Sequence, residues 1–218
     1  MKKLLIFASG TKDGGGSGFQ ELVENSRTGI LNADIVGVAS NHENGGVRKK
    51  ADSLGINFEY FEKPDQNTHR YAEIVKKYEA DFVSLSGWLK KTVGLDPAKT
   101  INIHPGLLPD FGGPGMYGHH VHEAVIKAFG EGRTKLAGVS MHFVTEEYDR
   151  GPVFFEFPVL IRSEDTADII AQRTNKIEHA YQSWITNLVI TEQITWDGKD
   201  HKSLKVPSWY PFLPKRSQ

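Results

Sequence analysis

Residues 4–23, LLIFASGTKDGGGSGFQELV, contain an apolar run, a glycine-rich stretch and then an amphipathic pattern. The run at residues 4–8 is short and ends at a serine and a glycine, which is typical of a fully buried strand. Phe19, Leu22 and Val23 follow at the spacing i, i+3, i+4, which predicts a helix. A buried strand, a flexible loop and a helix in this order are the beginning of a βαβ unit.

Strand and helix patterns keep alternating as far as residue 104. Each apolar run is short, ends in turn residues and is followed by apolar residues at helical spacing. This alternation predicts a parallel sheet with helices on both faces and right-handed crossovers. The later predicted strands are residues 35–39, 58–61, 81–87 and 100–104, and the predicted helices between them include residues 46–54 and 71–78.

The pattern changes after residue 132. Residues 137–144 and 153–160 both indicate long strands, and the short segment between them predicts an antiparallel pair. We therefore expect an α/β fold with a doubly wound, mostly parallel, Rossmann-like sheet and an antiparallel C-terminal addition. Further elements are predicted as a helix at residues 121–128, a long helix that starts at residues 163–166 and ends near residue 189, and a strand with a turn at residues 194–199.

The composition excludes several classes of protein. In 218 residues, 26 Lys and Arg face 27 Asp and Glu, so the net charge of −1 does not fit a general nucleic-acid binder. Cysteine is absent, which excludes disulfides, a thiol nucleophile and thiolate metal ligands. No apolar run approaches the roughly 18 residues of a membrane span, and the run at residues 4–8 is too short for a secretion signal. We expect a cytoplasmic protein without membrane or nucleic-acid partners.

The strongest chemical signal lies at the end of the predicted strand 100–104. Asn102 and His104 are two residues apart, so their side chains point to the same face of the sheet. Ligands of such sheets bind beyond the carboxyl ends of the strands, where both residues lie. An amide and an imidazole at this place can polarise a carbonyl and stabilise negative charge on its oxygen. On the spacing alone, a buried structural histidine capped by a loop is an equally good interpretation.

A candidate carboxylate, Asp149, lies in the predicted turn between the two antiparallel strands. It stands in the sequence Asp-Arg-Gly-Pro, where ordinary turn chemistry is the simpler interpretation. If Asp149 reaches His104, the carboxylate would orient the imidazole, raise its pKa and offer a proton acceptor.

The glycine-rich stretch at residues 14–18 is a candidate anion site. Backbone N–H groups at a helix N-terminus favour an anion such as phosphate. The stretch matches neither G-x-G-x-x-G nor the Gly-Lys-Ser/Thr ending of an NTPase loop, so NTP hydrolysis is not expected. A mobile surface loop is the alternative interpretation.

Three histidines and a glutamate cluster near residue 120 and raise the question of a zinc site. His119 and His122 are three residues apart and can share a helix face. The His-Glu-x-x-His pattern is missing, however, and no cysteine is available. We expect no metal here and expect these residues, which include His120 and Glu123, to line a pocket entrance or to be solvated.

The run Asn-Ile-His-Pro-Gly-Leu-Leu-Pro at residues 102–109, together with Asp-Arg-Gly-Pro at residues 149–152, resembles the 10-formyltetrahydrofolate-dependent formyltransferases. The resemblance extends from residue 4 to about residue 198. Within that superfamily the chain is most similar to the phosphoribosylglycinamide formyltransferases. A chain of this length has no room for the further C-terminal domain of methionyl-tRNA formyltransferase. Its first strand begins at Leu4, where the deformylase of this superfamily carries a regulatory domain.

The resemblance implies a function for particular residues. Catalytic residues of the family match Asn102, His104 and Asp149. The cosubstrate is 10-formyltetrahydrofolate, and no metal is implied. Residues that contact the phosphate and the ribonucleotide match Gly16, Ser17, Gly18 and Glu178, and residues of the folate pocket match Leu85, Trp88, Leu89, Lys90 and His142.

The implied reaction belongs to de novo purine biosynthesis. The amine of glycinamide ribonucleotide attacks the formyl carbon directly, without a covalent enzyme intermediate. His104, which the resemblance leads us to expect in its protonated form because Asp149 is near, stabilises the oxyanion together with the amide of Asn102. Asp149 takes the proton of the attacking amine, directly or through water.

The sequence departs from the family pattern at two places that concern the acceptor. Gly18 stands where an asparagine is usual, and the loop at residues 110–118 is expanded. These departures leave three alternatives open: a formyltransferase for another amine, such as an amino sugar nucleotide, a formyltetrahydrofolate hydrolase, and a non-catalytic folate-binding module. The intact set of Asn102, His104 and Asp149 argues against the last of these.

We expect one formyltransferase domain at residues 1–218. Its parts are a nucleotide-binding-like half at residues 1–104, a folate and catalytic half at residues 105–200 and an irregular tail at residues 201–218. The expected partners are small-molecule substrates, and the expected state is a monomer or a homodimer. The aromatic residues near position 210 are candidates to cover apolar surface or to mediate self-association.

Overall fold

The computed structural model describes residues 1–214, and within them one sheet has the strand order β3-β2-β1-β4-β5-β6-β7. Strands β1 to β5 pair in parallel, whereas β6 and β7 are antiparallel to their neighbours. The strands are β1 Lys2–Phe7, β2 Ala33–Ser40, β3 Phe58–Tyr60, β4 Phe82–Ser86, β5 Thr100–His104, β6 Leu136–Phe143 and β7 Val153–Leu160. The α-helices are α1 Ser17–Arg27, α2 Gly46–Leu54, α3 Arg70–Lys77, α4 His119–Gly130 and α5 Ala167–Ile190. The predicted fold class is confirmed.

The central strands are largely buried because both faces of the sheet are covered. β4 is buried at every residue, and β1 is buried from Leu4 onward. On one face, a core cluster joins the sheet to α1, α2 and α5. On the other face, α3 closes an aromatic cluster in which Tyr71 packs against Phe7, Phe61 and Trp88. The periodicity of apolar residues in the sequence predicted these elements because the buried side chains follow the same periodicity.

Local sequence signals determine where α1 and α5, two helices that carry candidate site residues, begin. Gly16 precedes α1 with φ of 75°, a left-handed conformation that costs glycine little. Thr166 is the N-cap of α5, and its hydroxyl accepts a hydrogen bond from the Ile169 N–H at 3.3 Å. Both starts agree with the predictions made from the sequence. α5 then runs for 24 residues and carries candidate site residues to the sheet edge.

The predicted strand at residues 194–199 is wrong. The structure has only an isolated antiparallel bridge between Thr195 and Lys205. The Asp197 carboxylate accepts hydrogen bonds from the N–H groups of Lys199 and Asp200, at 2.8 and 2.9 Å. This turn reverses the chain before a strand can continue, because the carboxylate offers the backbone a local partner.

The C-terminal segment crosses the edge strand β7. The Phe212 carbonyl accepts a hydrogen bond from the Glu156 N–H at 2.8 Å, and the Phe212 ring packs against Phe155 and Tyr181. The segment therefore covers apolar surface, one of the two roles expected for it. The predicted irregular tail at residues 201–218 begins with a short 3-10 turn at His201–Ser203, and its residues 215–218 lie outside the described residues.

Candidate active site

The carboxyl ends of β1, β4 and β5 meet at one edge of the sheet, and β6 joins them there. In the β5–β6 register, Asn102 lies opposite His142, and His104 lies opposite Ser140. Side chains directly opposite each other on antiparallel strands share a face and come within contact distance. The register therefore brings a histidine from the second half of the chain next to the Asn102 amide.

Asn102, His104, His142 and Asp149 form a group that we call the catalytic cluster. Asn102 Nδ2 lies 3.1 Å from His142 Nε2, and Asp149 Oδ1 lies 3.4 Å from the same nitrogen. Asp149 has φ of 54°, an uncommon conformation for a residue other than glycine. Such outliers are frequent at functional sites, where the surrounding contacts hold them in place.

The contacts of His142 restrict its protonation. His142 Nδ1 lies 2.8 Å from the Phe143 carbonyl, so this nitrogen carries a hydrogen and donates it. A neutral His142 then has a lone pair on Nε2 that accepts from the Asn102 amide. With a hydrogen on Nε2, the ring instead donates to Asp149. Nε2 therefore makes a hydrogen bond to one of these two partners at a time.

His104 is almost fully buried at the end of β5, and its Nε2 lies 2.7 Å from the Phe111 carbonyl. Nε2 is therefore the donor, and Nδ1 remains for other partners. Burial lowers the pKa of His104 below its usual value, although the charge of Asp149 acts in the opposite direction. The expectation of a protonated His104 is wrong for the protein by itself, because desolvation outweighs the carboxylate.

Asp149 stays ionised although it is nearly buried. Burial alone would raise the pKa of Asp149, but the hydrogen bond from His142 and the charges of His104 and His142 hold it below its usual value. The Gly113 N–H donates to Asp149 Oδ2 at 2.9 Å and acts in the same direction. Near neutral pH the group is a carboxylate that can accept a proton.

A cavity of about 490 Å³ opens over the catalytic cluster. Asn102, His104 and Asp149 line it together, although they come from two distant parts of the chain. Gly113, residues 116–118 and the first half of α5 contribute to its other walls. Its size and mixed lining suit a small organic ligand with a few oriented polar groups.

Every predicted folate-pocket residue lies at this edge of the sheet. Trp88 and Leu89 line the main cavity. Trp88 also lines a smaller adjoining recess, which shares Asn102 and Asp149 with the main cavity. Further predicted residues in the recess are Leu85, Lys90 and His142.

The predicted phosphate residues lie beside the cavity rather than in its lining. Ser17 Oγ is 3.2 Å from His179 Nε2, and the neighbouring Glu178 lines the cavity. A Cβ at Gly18 would collide with Ser86 Oγ and approach the Gln182 amide. A larger residue at this position would therefore displace the side chains of Ser86 and Gln182.

Glu178 projects into the cavity from α5. Burial raises the pKa of Glu178 to about 7, and a hydrogen bond from Asn175 at 3.4 Å only partly opposes this. A carboxyl group that titrates near neutral pH in a cavity is a candidate for a functional site. Its charge can change with the ligand that it contacts.

His122 was expected to line a pocket entrance or to be solvated, and the structure favours the first of these. The structure buries it, leaves its Nδ1 without a hydrogen-bond partner and places it in the cavity wall. Burial, with the charges of His119 and His104, lowers the pKa of His122 to about 4. The helical spacing on α4 was the available signal, since His122 lies three residues before the buried Val125.

The other members of the histidine cluster are exposed. Both His119 and His120 lie near Glu123, at 3.9 and 3.2 Å. Within residues 1–214, no group of three or more His, Cys, Asp or Glu side chains is arranged to hold a metal ion. In the same part of the chain, no helix is both long and apolar enough to cross a membrane.

Comparison with known proteins agrees with this fold and shows the family. The family model described as "Formyl transferase" matches residues 2–186, which is most of the chain. A crystal structure of glycinamide ribonucleotide transformylase 1 from Symbiobacterium toebii has a TM-score of 0.79 with 24% identity, over 94% of each chain. The chain is therefore a formyl transferase by family and by fold.

Two curated relatives define the family more closely. The chloroplastic phosphoribosylglycinamide formyltransferase of Arabidopsis thaliana is 35% identical over 205 residues, which cover 89% of this chain and 68% of the relative. The phosphoribosylglycinamide formyltransferase of Bacillus subtilis is 30% identical over 199 residues, which cover 87% of this chain and 95% of the relative. The chain belongs to the phosphoribosylglycinamide formyltransferase family.

Proposed function

We propose that the chain transfers the formyl group of 10-formyltetrahydrofolate to the amine of glycinamide ribonucleotide, a step of de novo purine biosynthesis. One observation carries the proposal. Asn102, His104 and Asp149 meet at the floor of a single cavity, in a chain of the phosphoribosylglycinamide formyltransferase family. An amide, an imidazole and a carboxylate at one point suit attack of an amine on a formyl carbon.

We assign the stabilisation of the oxyanion first to Asn102. Its amide has two N–H donors, and the contact with His142 occupies one of them. The second can donate to the formyl oxygen as negative charge develops. Donors aimed at such charge typically contribute about 3 to 4 kcal/mol in the transition state.

His104 acts as a cation only once the reaction has begun. It is neutral in the protein by itself because burial lowers its pKa. Negative charge on the formyl oxygen favours the imidazolium, since an opposite charge nearby raises the pKa of a histidine. Asp149 supports that change electrostatically.

Asp149 receives the proton that the attacking amine loses, directly or through water. Its carboxylate is ionised and lies at the cavity floor, so it meets the first requirement of a general base. Collapse of the tetrahedral intermediate breaks the bond between the formyl carbon and N10 of the folate. The proton then passes to that nitrogen, and tetrahydrofolate leaves.

We place the two substrates at opposite sides of the cluster. The pterin of the folate would lie along residues 85–90 and His142, where the recess adjoins the cavity. The ribonucleotide would contact Glu178, with its phosphate at the N-terminus of α1 near Gly16, Ser17 and Gly18. Backbone N–H groups at a helix N-terminus are suited to phosphate.

We also propose that the chain works as one formyltransferase unit. Residues from both predicted halves, 1–104 and 105–200, line the same cavity, which supports a shared site. A cytoplasmic location and a monomeric or homodimeric state complete the proposal. Sedimentation of the purified protein over a range of concentrations would give the state.

The test is the conversion of 10-formyltetrahydrofolate to tetrahydrofolate by the purified protein, with and without glycinamide ribonucleotide. We expect conversion only when the ribonucleotide is present. Conversion without it would identify a hydrolase instead. Conversion that requires an amino sugar nucleotide would identify another acceptor, and folate binding without any turnover would identify a binding module.

A further inference from the structure

The turn at residues 111–113 contacts two members of the catalytic cluster through its backbone. The Phe111 carbonyl accepts from His104 Nε2 at 2.7 Å. Two residues later, the Gly113 N–H donates to Asp149 Oδ2 at 2.9 Å. In the first bond the backbone is the acceptor, and in the second bond the backbone is the donor. One rigid turn therefore holds a histidine and a carboxylate whose own positions lie 45 residues apart in the numbering of the chain.

We infer that Phe111 and Gly113 are positioning residues for the transfer reaction, which hold His104 and Asp149 in their reactive geometry through the 111–113 backbone. The inference deepens the proposed function and rests on it. It assigns a role to the expanded loop at residues 110–118 that differs from covering the cavity. Neither residue touches the reacting atoms in this role.

The carbonyl contact decides which nitrogen of His104 faces the substrates. Because Nε2–H is committed to Phe111, the neutral ring can only present the lone pair of Nδ1 elsewhere. Protonation during the reaction then places the new hydrogen on Nδ1. Without the Phe111 carbonyl, the ring could adopt the other tautomer and present a hydrogen before any negative charge has formed.

The steric contacts of the turn are as close as its hydrogen bonds. A Cβ at Gly112 would lie 2.9 Å from Asp149 Cβ and would collide with Leu108 Cδ2. Any side chain at position 112 therefore displaces Asp149 or the turn. Gly113 has φ of 99°, a conformation that is strained for a residue with a Cβ. A substitution at Gly113 therefore strains the backbone at the N–H group that donates to Asp149.

The loop supplies a matched control for this strain. Gly115 has φ of 85°, and no atom lies within 4 Å of a Cβ at either Gly113 or Gly115. Gly113→Ala and Gly115→Ala thus add one methyl group at a left-handed position in the same loop. Only the first alters the backbone that holds Asp149.

The first measurement is kinetic. We expect Gly113→Ala to lower kcat by about 10- to 100-fold, since a small displacement of catalytic groups has this effect, with KM values for both substrates changed by less than about 3-fold. We expect the acid limb of its kcat/KM profile to shift to higher pH. The reason is that Asp149 loses a hydrogen-bond donor that favours its ionised form, which raises the pKa of Asp149. Gly115→Ala should stay within about 3-fold of the unchanged protein in every parameter. Equal losses in the two variants, or an unchanged acid limb, would overturn the inference.

The second measurement needs no substrate and separates the inference from the proposed function. Nitrogen-15 NMR of histidine-labelled protein reports the tautomer of His104. We expect the Nε2–H form in the unchanged protein and in Gly115→Ala, and a mixture of forms in Gly113→Ala. An Nδ1–H form in the unchanged protein would overturn the inference even if formyl transfer is observed. The expected tautomers in a protein that transfers no formyl group would instead refute the proposed function and leave the turn's structural role standing.

Discussion

The catalytic cluster and the glycine loop, which we define as residues 10–18, lie at the same edge of the sheet but are held in opposite ways. The cluster is largely buried and is joined by hydrogen bonds between side chains and backbone. The glycine loop is largely exposed, and its shape depends on left-handed glycines such as Gly10, Gly15 and Gly16. Side-chain contacts between distant residues therefore fix one region, whereas left-handed glycines and a backbone hydrogen bond from the Gly46 N–H to the Thr11 carbonyl, at 3.0 Å, shape the other.

The difference separates the chemical step from the binding of the acceptor. Groups that stabilise a transition state must keep their positions to a fraction of an ångström, which burial and hydrogen bonds provide. A phosphate site at a helix N-terminus uses backbone N–H groups, so it tolerates changes in the side chains around it. This is consistent with the departure from the family pattern at Gly18, which lies in the glycine loop.

The largest effect is expected from the centre of the cluster. Asp149→Asn should lower kcat by at least about 100-fold, because general acid–base groups typically contribute 10²- to 10⁴-fold. The amide keeps the size of the side chain and can still accept from the Gly113 N–H. Circular dichroism and the melting temperature should therefore change little. Near-normal turnover of a folded variant would remove Asp149 from the mechanism.

A second effect concerns the stability of the cavity wall and its dependence on pH. The pKa of His122 is about 4 in the folded protein and 6.5 in the unfolded chain, so the unfolded chain takes up the proton first. The stabilisation is complete above pH 6.5 and is lost as the pH falls towards 4. Its full size is on the order of 3 kcal/mol.

Chemical denaturation between pH 4 and pH 7 measures this effect. We expect His122→Gln to lose part of the pH dependence of the unfolding free energy, in proportion to the missing titration. His201→Gln, which changes an exposed histidine of the 3-10 turn, is the matched control. The same pH dependence in the unchanged protein and in His122→Gln would contradict the prediction.

A third effect tests the glycine loop. Ser17→Glu should raise the KM for the ribonucleotide by about 10-fold, which corresponds to about 1.4 kcal/mol of repulsion between a carboxylate and the phosphate. Turnover at saturation should change little, because the substitution lies outside the catalytic cluster. Ser53→Glu on α2 adds the same charge at another exposed serine and should leave the KM unchanged. An unchanged KM in Ser17→Glu would place the phosphate elsewhere.

The smallest effect concerns Glu178 and the ribonucleotide. Its pKa of about 7 means that the carboxyl group is neutral at pH 6 and charged at pH 8. A charged acceptor binds hydroxyl donors more strongly, so the KM for the ribonucleotide should fall several-fold over this range. The KM of Glu178→Gln for the ribonucleotide should stay at the higher value across this range, without the fall that the ionisation of Glu178 causes.

Steady-state kinetics at constant ionic strength would show the change. The phosphate of the substrate also titrates in this range, and its contribution is common to every variant, so the comparison between variants isolates the contribution of Glu178. Glu24→Gln on α1 removes an exposed carboxylate and should follow the unchanged protein. If Glu178→Gln follows it as well, Glu178 does not contact the ribonucleotide in its charged form.

Much of the site could be predicted from sequence because strand spacing is a local property. Asn102 and His104 were placed on one face from their separation alone, and the structure confirms that both line one cavity. The contact between His142 and Asn102 could not be predicted in the same way, because it depends on the β5–β6 register. The protonation of His104 was predicted wrongly, because the burial of its ring depends on how the rest of the chain packs around it.

The sequence by itself determined the order of strands and helices, the antiparallel pair at the C-terminal end, the start of α5 and the residues that match the family's chemistry. The elements follow from periodicity and capping, which act over a few residues, whereas the matched residues follow from the resemblance of two motifs to the family. Only the tertiary structure decided that the 111–113 backbone meets His104 and Asp149, that His122 enters the cavity wall and that Glu178 titrates near pH 7. These properties depend on contacts and desolvation between distant segments, and such terms exist only once the chain has folded.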